Sequence, residues 1–127
     1  MRVFKIKSFA RFARREGISD KTLSNAVTEM EKGLNDADLG GGLMKKRISR
    51  AGKGKSGGYR TIIAYQAGIR SVFLYGFPKN AKDNLDDLEL ASLQKLAKIY
   101  LLLSDADMGK ALNAGEIREV DYAEEKV

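Results

Sequence analysis

LMKKRIS (43–49), YRTIIAYQ (59–66) and IRSVFLYGF (69–77), with Pro78 directly after the last, form the stretch that decides the fold. Each run is short and bounded by turn residues, and the second and third are rich in β-branched and aromatic residues, so each predicts a strand. The glycine-rich segment RAGKGKSGG (50–58) joins the first two, and Ala67-Gly68 supplies a tight turn between the second and third. Three strands in succession predict an antiparallel meander. Pro78, the only proline, closes it, because it cannot donate a hydrogen bond to a continuing ladder.

Upstream, Val3–Ile6 reads as a further short strand. Phe9, Ala10, Phe12 and Ala13 then switch to helical spacing, with Arg11, Arg14 and Arg15 on the other side and Gly17 as the stop. Ser19 is a good N-cap for a second helix, in which Leu23, Ala26, Val27 and Met30 recur at three- and four-residue steps before Gly33. Gly40-Gly41-Gly42 reads as a flexible break. Downstream, Asp86 and Glu89 have the spacing of a capping box, and Leu88, Leu96, Ile99 and Leu103, with Leu93 and Tyr100 beside them, predict a helix with an apolar packing stripe. A last helix over Asp105–Asn113 and a strand over Glu116–Val120 complete the reading. The expected architecture is α+β: an antiparallel sheet of about four strands, two N-terminal helices packed on it and a C-terminal helix. A chain of 127 residues suits one domain over 1–127.

Composition removes several chemistries. With no cysteine and no histidine, the chain has no thiol nucleophile, no Cys/His zinc site and no imidazole base. Any catalysis must use Lys, Arg, Tyr, Ser, Asp or Glu, and neither metal nor cofactor is expected. The longest apolar run, Ile99–Leu103, is far short of a membrane span, and residues 1–7 alternate charge with apolar side chains unlike a secretory signal. A cytoplasmic location without membrane contact is the expectation.

The net charge of +6 conceals a sharp segregation. Residues 39–82 carry ten Lys and Arg and no acid, whereas the first 38 residues sum to +2 and the last 45 to −6. Such a positive field concentrates polyanions, and RNA or DNA is the leading partner. Lys45, Lys46, Arg47 and Arg50 are candidates for binding it. Phe73, Tyr75, Tyr59 and Phe77 lie on the strands, where an exposed ring can stack on an unpaired base. Alternation puts Tyr59, Thr61, Ile63 and Tyr65 on one face of their strand and Arg60, Ile62, Ala64 and Gln66 on the other, without telling which face is wet.

Gly52-Lys53-Gly54-Lys55-Ser56-Gly57 satisfies the letters of a dinucleotide fingerprint, yet a β-rich run follows where that fingerprint needs a helix. Gly54-Lys55-Ser56 imitates the end of a P-loop, but Ser49 stands where its first glycine belongs. A hairpin connection that lets Lys53 and Lys55 approach a phosphate backbone accounts for both glycines and charges.

Arg47-Ile48, Ala51-Gly52-Lys53-Gly54-Lys55-Ser56-Gly57-Gly58-Tyr59-Arg60 and Tyr75-Gly76-Phe77-Pro78-Lys79-Asn80 together resemble the RelE/HigB class of bacterial toxins, in particular a HigB-like branch. The resemblance covers most of the chain and implies a RelE-like fold and the toxin half of a type II toxin–antitoxin pair. It further implies ribosome-dependent cleavage of mRNA, and a cognate antitoxin, the ribosome and mRNA as partners. By the same resemblance Lys53, Lys55, Arg60 and Lys79 form the catalytic and phosphate-binding cluster.

RNA supplies its own nucleophile, the ribose 2′-hydroxyl, so such an enzyme need only move protons and neutralise the phosphorane. A lysine among cations has its charged form disfavoured, which suits Lys53 or Lys55 to proton transfer, while Arg60 suits a bidentate clamp. Two other functions fit the basic surface: a non-catalytic RNA- or ribosome-binding inhibitor of translation, and a ParE-like inhibitor of gyrase.

Overall fold

The computed structural model describes residues 1–50, 54–81 and 84–123, without the side chains of residues 50 and 54–57. Its elements are β1 (Arg2–Ile6), α1 (Lys7–Glu16), α2 (Asp20–Glu31), β2 (Ala37–Gly40), β3 (Leu43–Arg50), β4 (Gly54–Gln66), β5 (Arg70–Pro78), α3 (Asp87–Leu102), α4 (Asp105–Asn113) and β6 (Ile117–Val120). The α+β class agrees with the sequence reading. The sheet is larger than expected and mixed: six strands in the order β2-β3-β4-β5-β1-β6, with β1 parallel to β5 and antiparallel to β6.

Local sequence explains the helix ends. Gly17 adopts the left-handed conformation at φ 70° and stops α1. The Ser19 hydroxyl accepts from the Thr22 amide at 3.2 Å, and Ser104 does the same for Asp107 at 3.1 Å. Asp86 and Glu89 complete a capping box, the Glu89 amide donating to Asp86 at 2.8 Å and the Asp86 amide to Glu89 at 3.1 Å.

The meander β3-β4-β5 is present as read, with three additions. The triple glycine is no loose break: it turns β2 back onto β3. At Gly42 the φ of +82° and a hypothetical Cβ only 2.6 Å from Leu101 Cδ1 both demand glycine, so α3 packs close over this turn. The Gln94 amide then donates to the Leu39 carbonyl at 2.9 Å, tying α3 to β2.

The third addition is a register shift between β4 and β5. Ile62 faces Tyr75 and Ile63 faces Phe73, so Leu74 is the extra residue of a bulge. Alternation on β5 therefore resets. Phe73 packs with α1 and α2, whereas Leu74, Tyr75 and Phe77 all belong to the cluster under α3. Gly76 falls on the α1 side, where a Cβ would lie 2.4 Å from Phe12 Cε2.

Two apolar clusters fill the two faces. Phe9, Phe12, Leu23, Val27, Met30, Ile48, Tyr59, Ile63 and Phe73 pack beneath α1 and α2; Phe4, Leu43, Ile62, Val72, Leu74, Phe77, Ala97 and Met108 pack beneath α3 and α4. The buried Arg70 guanidinium closes the second side, donating to the carbonyls of Tyr100 and Leu103 at 2.7 and 2.8 Å and to Asp105 at 3.0 Å. The apolar stripe expected on α3 is rotated. Ala97 is buried and Leu90, Leu93, Leu96, Tyr100 and Leu101 lean on the core, while Leu88 and Ile99 point to solvent. Both faces of this helix are apolar, so periodicity alone does not decide which one turns inward.

Candidate functional site

Directly opposed residues of neighbouring antiparallel strands share a face. Arg47 of β3, Arg60 of β4 and Phe77 of β5 form one such row, and Lys45, Ile62 and Tyr75 form the next. Ile62, Tyr75 and Phe77 belong to the cluster under α3, which places Arg60, Arg47 and Lys45 on the same face. The row through Arg60 is the nearer of the two to the β3–β4 connection.

Arg60 is only 8% exposed, and its Nη1 is buried without a hydrogen-bond partner. Leaving a buried charged donor unsatisfied costs on the order of 1–3 kcal/mol or more. A guanidinium in that state has hydrogen-bonding capacity that the described residues leave unused. It is the one such side-chain atom among the described residues.

Neighbours add charge at the rim. The Lys79 amide donates to the Gly58 carbonyl at 3.1 Å, holding the residue after Pro78 beside β4 two positions before Arg60. Lys45 Nζ donates to Asn84 Oδ1 at 3.4 Å, just ahead of α3. The half-buried Tyr75 donates through its hydroxyl to Glu89 Oε2 at 3.4 Å, and its ring lies 5.6 Å from that of Phe77. Of the four aromatics named as stacking candidates, Tyr59, Phe73 and Phe77 are buried and Tyr75 keeps access to solvent.

Three cations of the acid-free segment meet acids brought from elsewhere in the chain. Arg47 is held by Asp36, which accepts from its amide at 2.5 Å and its Nε at 3.0 Å. Burial alone would raise the Asp36 carboxyl, but these hydrogen bonds and the Arg47 and Lys46 charges hold it below its usual range. Arg70 is paired with Asp105. Lys46 belongs to the opposite face: buried beneath α2, its Nζ lies 2.6 Å from Glu29 Oε1 and donates to the Leu34 carbonyl at 2.7 Å. That corrects the sequence reading of Lys46 as an RNA contact, since one step along a strand reverses the face.

The structure thus brings Arg60, Lys45, Arg47, Tyr75 and the Lys79 backbone to one side of β3-β4-β5. Lys53 lies outside the described residues, as do the side chains of Arg50 and Lys55. Sequence reasoning missed Asp36, Asn84 and Glu89, which fasten Arg47, Lys45 and Tyr75; none stands in a motif with the residue it holds. A broad concavity of about 750 Å³ lies instead along α2, lined by Asp20, Lys21, Glu29, Lys32 and Asp121 among others, with acids and lysines mixed and no orphaned donor. Among the described residues no helix is long and apolar enough to cross a membrane.

A search of curated protein sequences gave no match. The family model described as the RelE toxin of the RelE/RelB toxin–antitoxin system matches residues 1–120, nearly the whole described fold. The strands that carry Arg60 and its neighbours therefore lie within the matched region, and the chain belongs to the RelE toxin family, the toxin half of a toxin–antitoxin system that has an antitoxin as its partner.

Proposed function

We propose that this RelE-family toxin is a ribosome-dependent mRNA endonuclease of the HigB-like branch that acts in the cytoplasm and halts translation. The observation that carries the reading is the buried, unpartnered Nη1 of Arg60 on the basic face of β3-β4-β5. A donor held out of water without a partner favours a ligand that brings oxyanions, and a phosphodiester does so.

In this reading the scissile phosphate sits against Arg60, whose fixed fork compensates charge as the phosphorane forms. The ribose 2′-oxygen attacks phosphorus, the O2′–P bond forms and the P–O5′ bond breaks. The 2′-hydroxyl proton leaves to a neutral lysine, Lys53 or Lys55, and an ammonium of the cluster, Lys79 among them, protonates O5′. The products are a 2′,3′-cyclic phosphate and a 5′-hydroxyl. Lys45, Arg47 and Arg50 bind flanking phosphates, and Tyr75 offers its ring to an unpaired base.

Primer extension on a defined messenger in a reconstituted translation system tests this. New 5′ ends that require translating ribosomes and vanish with Arg60→Ala and with Lys53→Ala/Lys55→Ala support it. Synthesis that stops on an intact messenger makes the basic face a blocking surface. Unimpaired synthesis, with gyrase inhibited instead, makes the chain a ParE-like inhibitor.

A further inference from the structure

Three of the five large apolar side chains exposed among the described residues lie on α3: Leu88 at 82%, Ile99 at 56% and Leu102 at 74%. At 100° per residue these three fall within about 60° of one another, on the side of the helix opposite the buried Ala97. Leu88 to Leu102 spans about 21 Å, or four helical turns. Apolar side chains left exposed on one side of a helix, broken by a single charge at its middle, suit a surface that another chain covers.

We infer that this outer face of α3 is the docking surface for an amphipathic helix of the antitoxin, carrying aliphatic side chains against Leu88, Ile99 and Leu102 and a carboxylate opposite Lys95. The charge pattern selects this occupant. Lys95 stands on the same line, seven residues from each leucine, and the exposed Lys98 flanks it. A second copy of the chain fits badly, because a two-fold pairing that buries the whole stripe, parallel or antiparallel, sets Lys95 against Lys95. A partner helix with an acid at its midpoint turns that position into an attraction. The inference rests on membership of the toxin family and not on RNA cleavage.

The test measures the affinity of the full chain for the antitoxin encoded beside it, by titration calorimetry. Ile99→Asp and Leu102→Asp are each expected to weaken binding about 30-fold or more, as buried anchors do, and Lys95→Glu about tenfold. Replacing the facing antitoxin acid by lysine should restore binding to Lys95→Glu. All three positions are exposed, so melting temperatures of the free variants should match wild type, and RNA cleavage should be unaltered. Wild-type affinity in the three variants overturns the inference. So does sedimentation of the free chain as a dimer that Ile99→Asp dissociates, which makes the stripe a contact between copies.

Discussion

Arg60 of β4 stands directly across the sheet from Arg47 of β3, two guanidinium groups on one face of neighbouring strands. Like charges so placed destabilise a sheet, and among the described residues an acid meets only one of them. Asp36 takes Arg47, while Arg60 has Phe77 on its other flank and a buried Nη1 without a partner. Replacing Arg60 by methionine removes the buried, unpartnered donor and keeps the volume. Arg60→Met should therefore raise stability by about 1–3 kcal/mol while lowering ribosome-dependent cleavage about 100-fold or more. Thermal denaturation and primer extension read the two effects; a variant that melts earlier and still cleaves would show that Arg60 is an ordinary structural residue.

Asp36 gives the protein an acid-side liability. Its carboxyl is held below the usual value of 3.8, because the Arg47 hydrogen bonds outweigh the opposing effect of burial. The folded chain thus binds this proton less readily than the unfolded chain. The stabilisation is complete above the unfolded-state value and is lost as pH falls through the lower folded one, below about pH 4. Asp36→Asn should be less stable than wild type at neutral pH and lose less on acidification. Urea titrations at pH 7 and pH 3 check this, and equal losses in both proteins would contradict it.

Lys46 and Lys45 are adjacent in sequence and separated by the thickness of the sheet. Lys46→Met should leave mRNA cleavage within about twofold of wild type, yet cost about 1–3 kcal/mol as the Leu34 carbonyl and Glu29 lose their donor. Lys45→Met should show the reverse, weaker cleavage at unchanged stability. The pair of variants measured side by side tells whether the face assignment holds.

Gly76 is fixed by Phe12. With a Cβ 2.4 Å from the ring, Gly76→Ala should destabilise the protein by about 1–3 kcal/mol. Phe12→Leu in the same chain should recover part of that loss. A double-mutant cycle of melting free energies gives the coupling, and additive effects would mean that the two residues do not meet.

Much of the fold is legible because it is encoded locally. Ser19, Asp86 with Glu89, and Gly17 mark helix ends through bonds to their own neighbours in sequence. The strand over 117–120 and the helix over 105–113 follow from patterning in the same way. What could not be read is non-local. Ala-Asp-Leu-Gly (37–40) becomes β2 only because β3 offers it an edge, and the parallel pairing of β1 with β5 joins residues about 70 positions apart. At the candidate site, the basic cluster is visible in composition, but its sorting between faces is not. Lys46 differs from Lys45 and Arg47 by strand phase alone, and the bulge at Leu74 moves Tyr75 and Phe77 to the α3 side.

The place of β1 sets an order of events during folding. It precedes the other described strands in the chain, yet it pairs on one side with β5 and on the other with β6, the last of them. Residues 2–6 must wait for residues 70–78 before they can pair at all, and they keep an open edge until residues 117–120 arrive. A nascent chain therefore carries an apolar strand, with Val3 and Phe4 in it, that finds no partner until β5 has been made. Long-range pairing of this kind slows folding and invites edge-to-edge association. A chain cut before residue 117 should aggregate through β1, whereas β3, β4 and β5, which carry Arg60, assemble from hairpins as they emerge.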